Sequence, residues 1–229
     1  MEKLPVFAIE RHRITTDGVG VTTLVGAYGC PLQCKYCLNP HAWNPDTIQK
    51  CTYFTVEELL ERVKVDDLYF KATGGGVTFG GGESLLHAEF IKAFREVCPK
   101  EWTLTVETSL NVNSDLFETA LEAVDAFIVD IKDMEPQIYK AYTGQNNEGV
   151  LRNLERLAQN LSAKQVRIRV PHIPGYNEEE SIRASVEKLQ KTGFTDIEVF
   201  PYVLRNVESA EKKRRSERDE IVFNNPLLY

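Results

Sequence analysis

Val21-Thr22-Thr23-Leu24-Val25-Gly26-Ala27-Tyr28-Gly29-Cys30-Pro31-Leu32-Gln33-Cys34-Lys35-Tyr36-Cys37 joins an apolar, β-rich run to three cysteines in eight residues. Residues 21–28 read as a buried strand ended by Gly29. The cysteines, spaced C-x3-C-x2-C, therefore begin where a strand stops. Loops at the carboxyl ends of parallel strands are where α/β barrels carry their chemistry.

Five further strand-like runs lie at 77–79, 103–106, 126–131, 166–170 and 197–201. Segments with helical spacing separate them. Val56, Leu59, Leu60 and Val63 follow Thr55, which forms a capping-box pattern with Glu58. Leu85, Leu86, Phe90, Ile91 and Phe94 make a second stripe, and Ser114 opens a third with Leu116, Phe117, Ala120 and Leu121. Val150, Leu151, Leu154, Leu157 and Leu161 make a fourth. Ile182, Val186 and Leu189 make a fifth, with Gly193 as its C-cap. Strands alternating with helices of this length imply βαβ units and a parallel sheet, an α/β fold.

The chain of 229 residues holds 42% hydrophobic and 27% charged residues, an ordinary globular composition. No apolar run approaches the roughly 20 residues that span a bilayer. The opening residues 1–10 lack a signal-peptide pattern, so a cytoplasmic protein without a membrane partner is expected. A net charge of −7 argues against bulk nucleic-acid binding. Residues 1–204 read as one domain and 205–229 as a charged C-terminal extension. That extension holds Lys212-Lys213-Arg214-Arg215 and an apolar end, Pro226-Leu227-Leu228-Tyr229, that could dock on the body.

In a reducing compartment, three cysteines on one tight loop are better read as metal ligands than as disulfide partners. Soft thiolates suit zinc or an iron–sulfur cluster. A structural zinc site wants a fourth ligand, and His41 is the nearby candidate. An iron–sulfur cubane on three cysteines leaves one iron open. Pro31, Gln33 and Lys35 disfavour three unrelated core thiols. Downstream, residues 74–83 pack six glycines around a short strand ending in Gly81-Gly82-Glu83. No Gly-Lys-Ser/Thr follows, which excludes a phosphate-cradling P-loop; a glycine turn or close approach of backbone to a ligand remains. In Asp130-Ile131-Lys132, alternation puts the two charged residues on one side of a strand end. Alone, such a pair reads as a surface salt bridge.

The C-x3-C-x2-C loop with Tyr36 before its last cysteine resembles the radical S-adenosylmethionine enzymes. The resemblance is nearest to the activating enzymes of glycyl radical enzymes, of the pyruvate formate-lyase activating type. It extends from Asp17 to Tyr202 through Asp17-Gly18-Val19-Gly20, Gly-Gly-Gly-Val-Thr at 74–78, Gly81-Gly82-Glu83 and Val106-Glu107-Thr108. It continues through Asp130-Ile131-Lys132-Asp133-Met134, Arg169 ahead of Pro174-Gly175, and Pro201-Tyr202. The fold it implies is a partial parallel (β/α)6 TIM-like barrel. Cys30, Cys34 and Cys37 would hold a [4Fe–4S] cluster whose open iron takes S-adenosylmethionine. Reductive cleavage would yield a 5′-deoxyadenosyl radical that abstracts hydrogen from a glycine of a partner glycyl radical enzyme, with flavodoxin or ferredoxin as electron donor. No side chain would act as acid or base. Tyr36, Gly81, Gly82, Glu83, Asp130, Lys132 and Arg169 fall on cofactor-binding positions, and Glu107, Thr108 and Asp130 on a monovalent-cation site. Arg169 taken alone also fits an ion pair across the sheet.

Three departures stand out. Only thirteen residues separate Cys37 from Cys51, which leaves no ferredoxin-like insertion. Val203 stands where the type has a histidine near the adenine. Val21 and Thr22 stand where an arginine is usual. Cys51 and Cys98 match no ligand position and read as structural. The alternatives are a radical S-adenosylmethionine enzyme acting on a small molecule or another peptide, and a non-catalytic zinc-binding module.

Overall fold

The computed structural model describes residues 3–14, 16–162 and 164–202. The chain opens with two antiparallel strands, β1 (Leu4–Ile14) and β2 (Val21–Ala27). A short helix α1 (Pro45–Ile48) and strand β3 (Thr52–Phe54) lead into helices α2 (Val56–Val63) and α3 (Asp67–Thr73). Strands and helices then alternate as β4 (Gly76–Gly81), α4 (Ala88–Val97), β5 (Thr103–Thr108), α5 (Ser114–Ala123) and β6 (Ala126–Asp130). Helices α6 (Pro136–Thr143) and α7 (Glu148–Ala158) follow, then β7 (Gln165–His172), α8 (Glu179–Thr192) and β8 (Ile197–Pro201).

One sheet holds all eight strands in the order β3-β1-β2-β4-β5-β6-β7-β8. From β2 to β8 every neighbouring pair is parallel, while β1 runs antiparallel to both β2 and β3. Among the described residues the sheet's ends do not pair with each other, so the six parallel strands form an open, partial barrel.

Local chemistry sets the element boundaries. The Thr55 hydroxyl accepts from the Glu58 amide (3.2 Å) while the Glu58 carboxylate accepts from the Thr55 amide (2.7 Å), closing the capping box of α2. Asn113 Oδ1 accepts from the Leu116 amide and caps α5 from the residue before Ser114. Gly193, at φ 109°, turns the chain out of α8. The core lies between sheet and helices. Along β5, Leu104 and Val106 are fully buried in it, while Thr105 and Glu107 alternate toward the barrel interior. Phe79 and Phe94 meet edge to face at 5.5 Å, fixing α4 on β4.

Five elements lie outside the sequence expectation, the four-residue α1 among them. β1 alternates poorly because it is a bulged antiparallel strand whose second half is mostly exposed. β3 has only three residues. In α3 the apolar stripe is inverted: Phe70 is buried against Trp102, whereas Leu68 is 76% exposed. α6 buries two tyrosines and a threonine, with no aliphatic stripe to announce it. Val203 and the 205–229 extension lie outside the described residues. No helix among them is long and apolar enough to cross a membrane.

Candidate active site

The cysteine loop leaves the carboxyl end of β2 and is pinned by backbone hydrogen bonds. Gly29 donates to Ala42, Gln33 to Thr143 and Lys35 to Tyr142, at 2.7, 3.1 and 3.1 Å, and Cys37 donates back to Cys34. Leu32 is buried beneath it. All three thiols are free of disulfides and partly buried, and Cys30 and Cys34 pack on the apolar core. Burial pushes the Cys30 thiol up to about 12. It also raises Cys34, although the Lys132 ammonium pulls Cys34 back. Metal binding must displace those protons, as thiolate ligation always does. Among the described residues no three His, Cys, Asp or Glu side chains converge on a single ion. A cubane, whose irons occupy separate corners, does not require such convergence. The soft, thiol-only donor set fits an iron–sulfur cluster, with His41 at no shared ligand point.

The Gly81-Gly82-Glu83 turn is tied to the root of this loop. The Gly82 amide donates to Ala27 and the Glu83 amide to Gly29 (3.1 and 2.8 Å), and a side chain at Gly82 would collide with the Gly29 carbonyl. The glycine is thus demanded by the loop's own backbone. Glu83 is 1% exposed and its carboxylate is fully engaged. It accepts from the Thr108 hydroxyl (2.6 Å), the Ser109 hydroxyl and amide (2.6 and 2.8 Å) and the Leu85 amide (3.2 Å). Its side chain clamps the ends of β4 and β5 together and offers no spare acceptor to a ligand.

Lys132 lies two residues past the end of β6, with a side chain 15% exposed. Among the described residues its ammonium bonds only Asp130, at 3.3 Å. Burial opposes its charge, but Asp130, then Cys34 and the Tyr142 and Tyr202 hydroxyls, hold its pKa above the ordinary lysine value. The ammonium therefore stays charged beside the thiol loop. Tyr36, Tyr142 and Tyr176 enclose this corner with ring centroids 5.2–6.2 Å apart, and the Tyr202 hydroxyl donates to the Tyr36 carbonyl. Sequence reasoning missed the residue that fixes the lysine backbone. Asn177 is fully buried; its Oδ1 accepts from Ile173 (2.6 Å), and its Nδ2 donates to Pro171 (3.0 Å) and to Lys132 (3.4 Å). Its signal was an asparagine two residues after Pro174-Gly175.

Glu107 and Arg169 meet across the sheet, Nη1 to Oε1 at 3.1 Å, and the Arg169 Nη2 donates to the Thr16 carbonyl. Burial raises the Glu107 carboxyl to about 7; Arg169 opposes this, while Asp130 and Asp17 add to it. Thr108 spends its hydroxyl on Glu83 as donor and on the Leu110 amide as acceptor. Glu107, Thr108 and Asp130 are thus neighbours on β5 and β6, but each already has a partner within the chain. They do not fit a ready-made cation site. A separate groove of about 510 Å³ between α8 and β8 is lined by Ile182, Arg183, Val199 and Phe200 among others, and by none of these site residues.

The profile of the radical SAM superfamily matches residues 24–185. The chain is 30% identical over 221 residues to the pyruvate formate-lyase-activating enzyme of Clostridium pasteurianum, covering 89% of this chain and 91% of that one. It is 29% identical to the (2S)-3-sulfopropanediol dehydratase activating enzyme of Klebsiella oxytoca, covering 76% and 73%. The solved structure of SuiB from Streptococcus suis shares the fold, with a TM-score of 0.59 at 13% identity over 86% of this chain and 45% of that one. The match runs from the strand before the cysteines into the helix after the Pro-Gly turn, so the chain belongs to the radical SAM superfamily of enzymes and is similar to its glycyl radical enzyme activases.

Proposed function

We propose that the protein activates a partner glycyl radical enzyme by abstracting hydrogen from one of the partner's glycines. The observation that carries this reading is the buried Lys132 ammonium, held charged between Asp130 and the Cys34 thiol at the barrel mouth. A cation with donors to spare among the described residues, beside thiols that suit a cluster, is what an amino-acid cofactor's carboxylate requires. The printed names of the relatives, activating enzymes for different glycyl radical enzymes, support the substrate class.

Cys30, Cys34 and Cys37 would hold three irons of a [4Fe–4S] cluster. Bound there with S-adenosylmethionine, the cluster supplies one-electron reductive cleavage of a carbon–sulfur bond and a 5′-deoxyadenosyl radical. The chain's own part is positional. Lys132 binds the cofactor carboxylate, and Asp130 with the Gly81–Gly82 backbone receives its ammonium. Tyr36 offers an aromatic face to the adenine. Glu83 acts beneath them by locking the β4 and β5 loops. No side chain needs to take or give a proton, because hydrogen abstraction moves an atom rather than a proton. A flavodoxin or ferredoxin is the class of donor for the single electron, and a reducing cytoplasm suits five cysteines free of disulfides.

Anaerobic reconstitution with iron and sulfide, then an assay for 5′-deoxyadenosine with and without a candidate partner, tests this reading. A glycyl radical signal on the partner, by electron paramagnetic resonance, is the expected outcome. Deoxyadenosine without any protein radical points to a small molecule or another peptide. Zinc in place of iron, with no deoxyadenosine, rejects the enzyme mechanism outright.

A further inference from the structure

We infer that Arg169 serves as the built-in counter-cation of Glu107, so that the cofactor pocket of this chain works without a monovalent metal ion. The inference rests on the cofactor reading above and concerns the floor of the same pocket.

A metal cation at such a place would neutralise buried carboxylates and fix their oxygens. Here protein groups neutralise both carboxylates and hold one oxygen of each. Glu107 Oε1 accepts from Arg169 Nη1 at 3.1 Å, and Asp130 Oδ2 accepts from the Lys132 ammonium at 3.3 Å. Once Glu107 ionises, near pH 7, two carboxylates face two cations and the local charge is balanced. The third oxygen that an ion would recruit, on Thr108, is already donor to Glu83 and acceptor from Leu110. A guanidinium keeps its charge at every working pH, and this one is held from both sides. One edge bonds Glu107 and another bonds the Thr16 carbonyl, on the stretch between β1 and β2. The Arg169 and Glu107 side chains are only 18% and 22% exposed, so bulk salt screens the pair weakly.

The residue types fit this use. Glutamate reaches one methylene further than aspartate, and its Oε1 meets Arg169 across β6. Gly80 makes room for it: a Cβ at Gly80 would stand 2.7 Å from Glu107 Oε2. The Glu–Arg pair, the longer acid and the glycine opposite it form one device.

The test uses cluster-loaded protein and reads S-adenosylmethionine affinity by calorimetry in sodium, potassium and tetramethylammonium chloride at one ionic strength. The parent's affinity should differ by less than about twofold among the three salts. Arg169→Gln should weaken binding about tenfold in tetramethylammonium chloride and regain most of that when potassium or sodium is supplied. Parent binding that tightens about tenfold with either alkali ion overturns the inference, as does an Arg169→Gln protein that binds like the parent in tetramethylammonium. The thermal midpoint of the cluster-free chain reads the pair without any cofactor. Arg169→Gln should lower it, and the double variant Glu107→Gln/Arg169→Gln should recover part of the loss, because no charge is then left unpaired. Equal losses in the two variants count against the pair. A parent that binds no S-adenosylmethionine in any salt breaks the functional reading instead, and the thermal comparison still decides the roles of Glu107 and Arg169.

Discussion

Two charged clusters sit at opposite ends of the parallel strands, and they are finished differently. At the amino-terminal end Asp66 is fully buried and closed by its own chain. It accepts from Arg11 Nε (2.9 Å) and Thr23 Oγ1 (2.8 Å), with His12 Nε2 at 3.0 Å. These partners come from β1 and β2 and staple them to the 3-10 turn before α3. At the carboxyl-terminal end Lys132 is nearly as buried, yet among the described residues one carboxylate is its only bonded partner, and three thiols free of disulfides stand on the adjoining loop. A buried charge whose hydrogen-bonding capacity is used up by the fold is a staple. One with capacity to spare is a candidate site.

The largest effect that sharpens this contrast is on metal content. Replacing any one of Cys30, Cys34 or Cys37 by serine should abolish iron uptake and the visible charge-transfer absorbance, because a cubane missing a thiolate has two open corners. Serine at Cys51 or Cys98 should leave both intact. Cys51 donates only to a backbone carbonyl, and Cys98 is buried at the end of α4. Full iron content in a Cys34→Ser protein would break the assignment of the loop.

Next in size is Lys132→Ala. Iron content should be that of the parent while S-adenosylmethionine binding weakens about 10- to 100-fold, the range expected for one charge-assisted contact. Binding and cleavage at parental levels would reduce Lys132 to a second staple, and the contrast between the two ends would fall with it. Asn177→Asp offers a milder version: it keeps the acceptor for the Ile173 amide but loses the donors to Pro171 and Lys132. Its expected signature is weaker cofactor binding at unchanged iron content, a split that general unfolding would not produce.

How much of this was legible depends on the range of the contact. All six parallel strands and the five helices with aliphatic stripes could be read, because burial on one face leaves a periodic trace. The thiol loop and the Gly-Gly-Glu turn are local in sequence and could be read too. What they do could not be read fully. Glu83 looks like a ligand in sequence, but its carboxylate is spent on Thr108 and Ser109, 25 and 26 residues away. The Glu107–Arg169 pair spans 62 residues, and Asp66 finds Arg11 across 55. Such pairings follow from strand register, which periodicity alone does not give. Helix α3 escaped for the opposite reason: its apolar residues Leu68 and Tyr69 face solvent.

Asp66→Asn probes the staple itself. It should lower unfolding free energy by about 2 kcal/mol, through buried donors left poorly matched, and leave cofactor binding unchanged. The loss stays modest because Arg11 and His12 are 42% and 46% exposed and can turn to water. Chemical denaturation of the cluster-free chain measures it. A change in S-adenosylmethionine affinity of the same size would mean that the two ends are coupled.

The finest discrimination is the sign of the pH dependence. Burial works to raise the Asp66 carboxyl, but Arg11 and Thr23, with His12, outweigh it and hold its pKa below the ordinary 3.8. Its stabilisation is therefore complete above that value and is lost as pH falls through the lower folded-state value. Glu107 runs the other way. Its folded value of about 7 lies above the ordinary 4.5, so its contribution is complete below 4.5 and declines as pH rises toward 7. Subtracting the stability profile of Asp66→Asn from that of the parent should leave a slope confined to the acid limb. The same subtraction with Glu107→Gln should leave one of opposite sign between the two Glu107 values. Slopes of the same sign would mean that Arg169 holds Glu107 as firmly ionised as Arg11 holds Asp66.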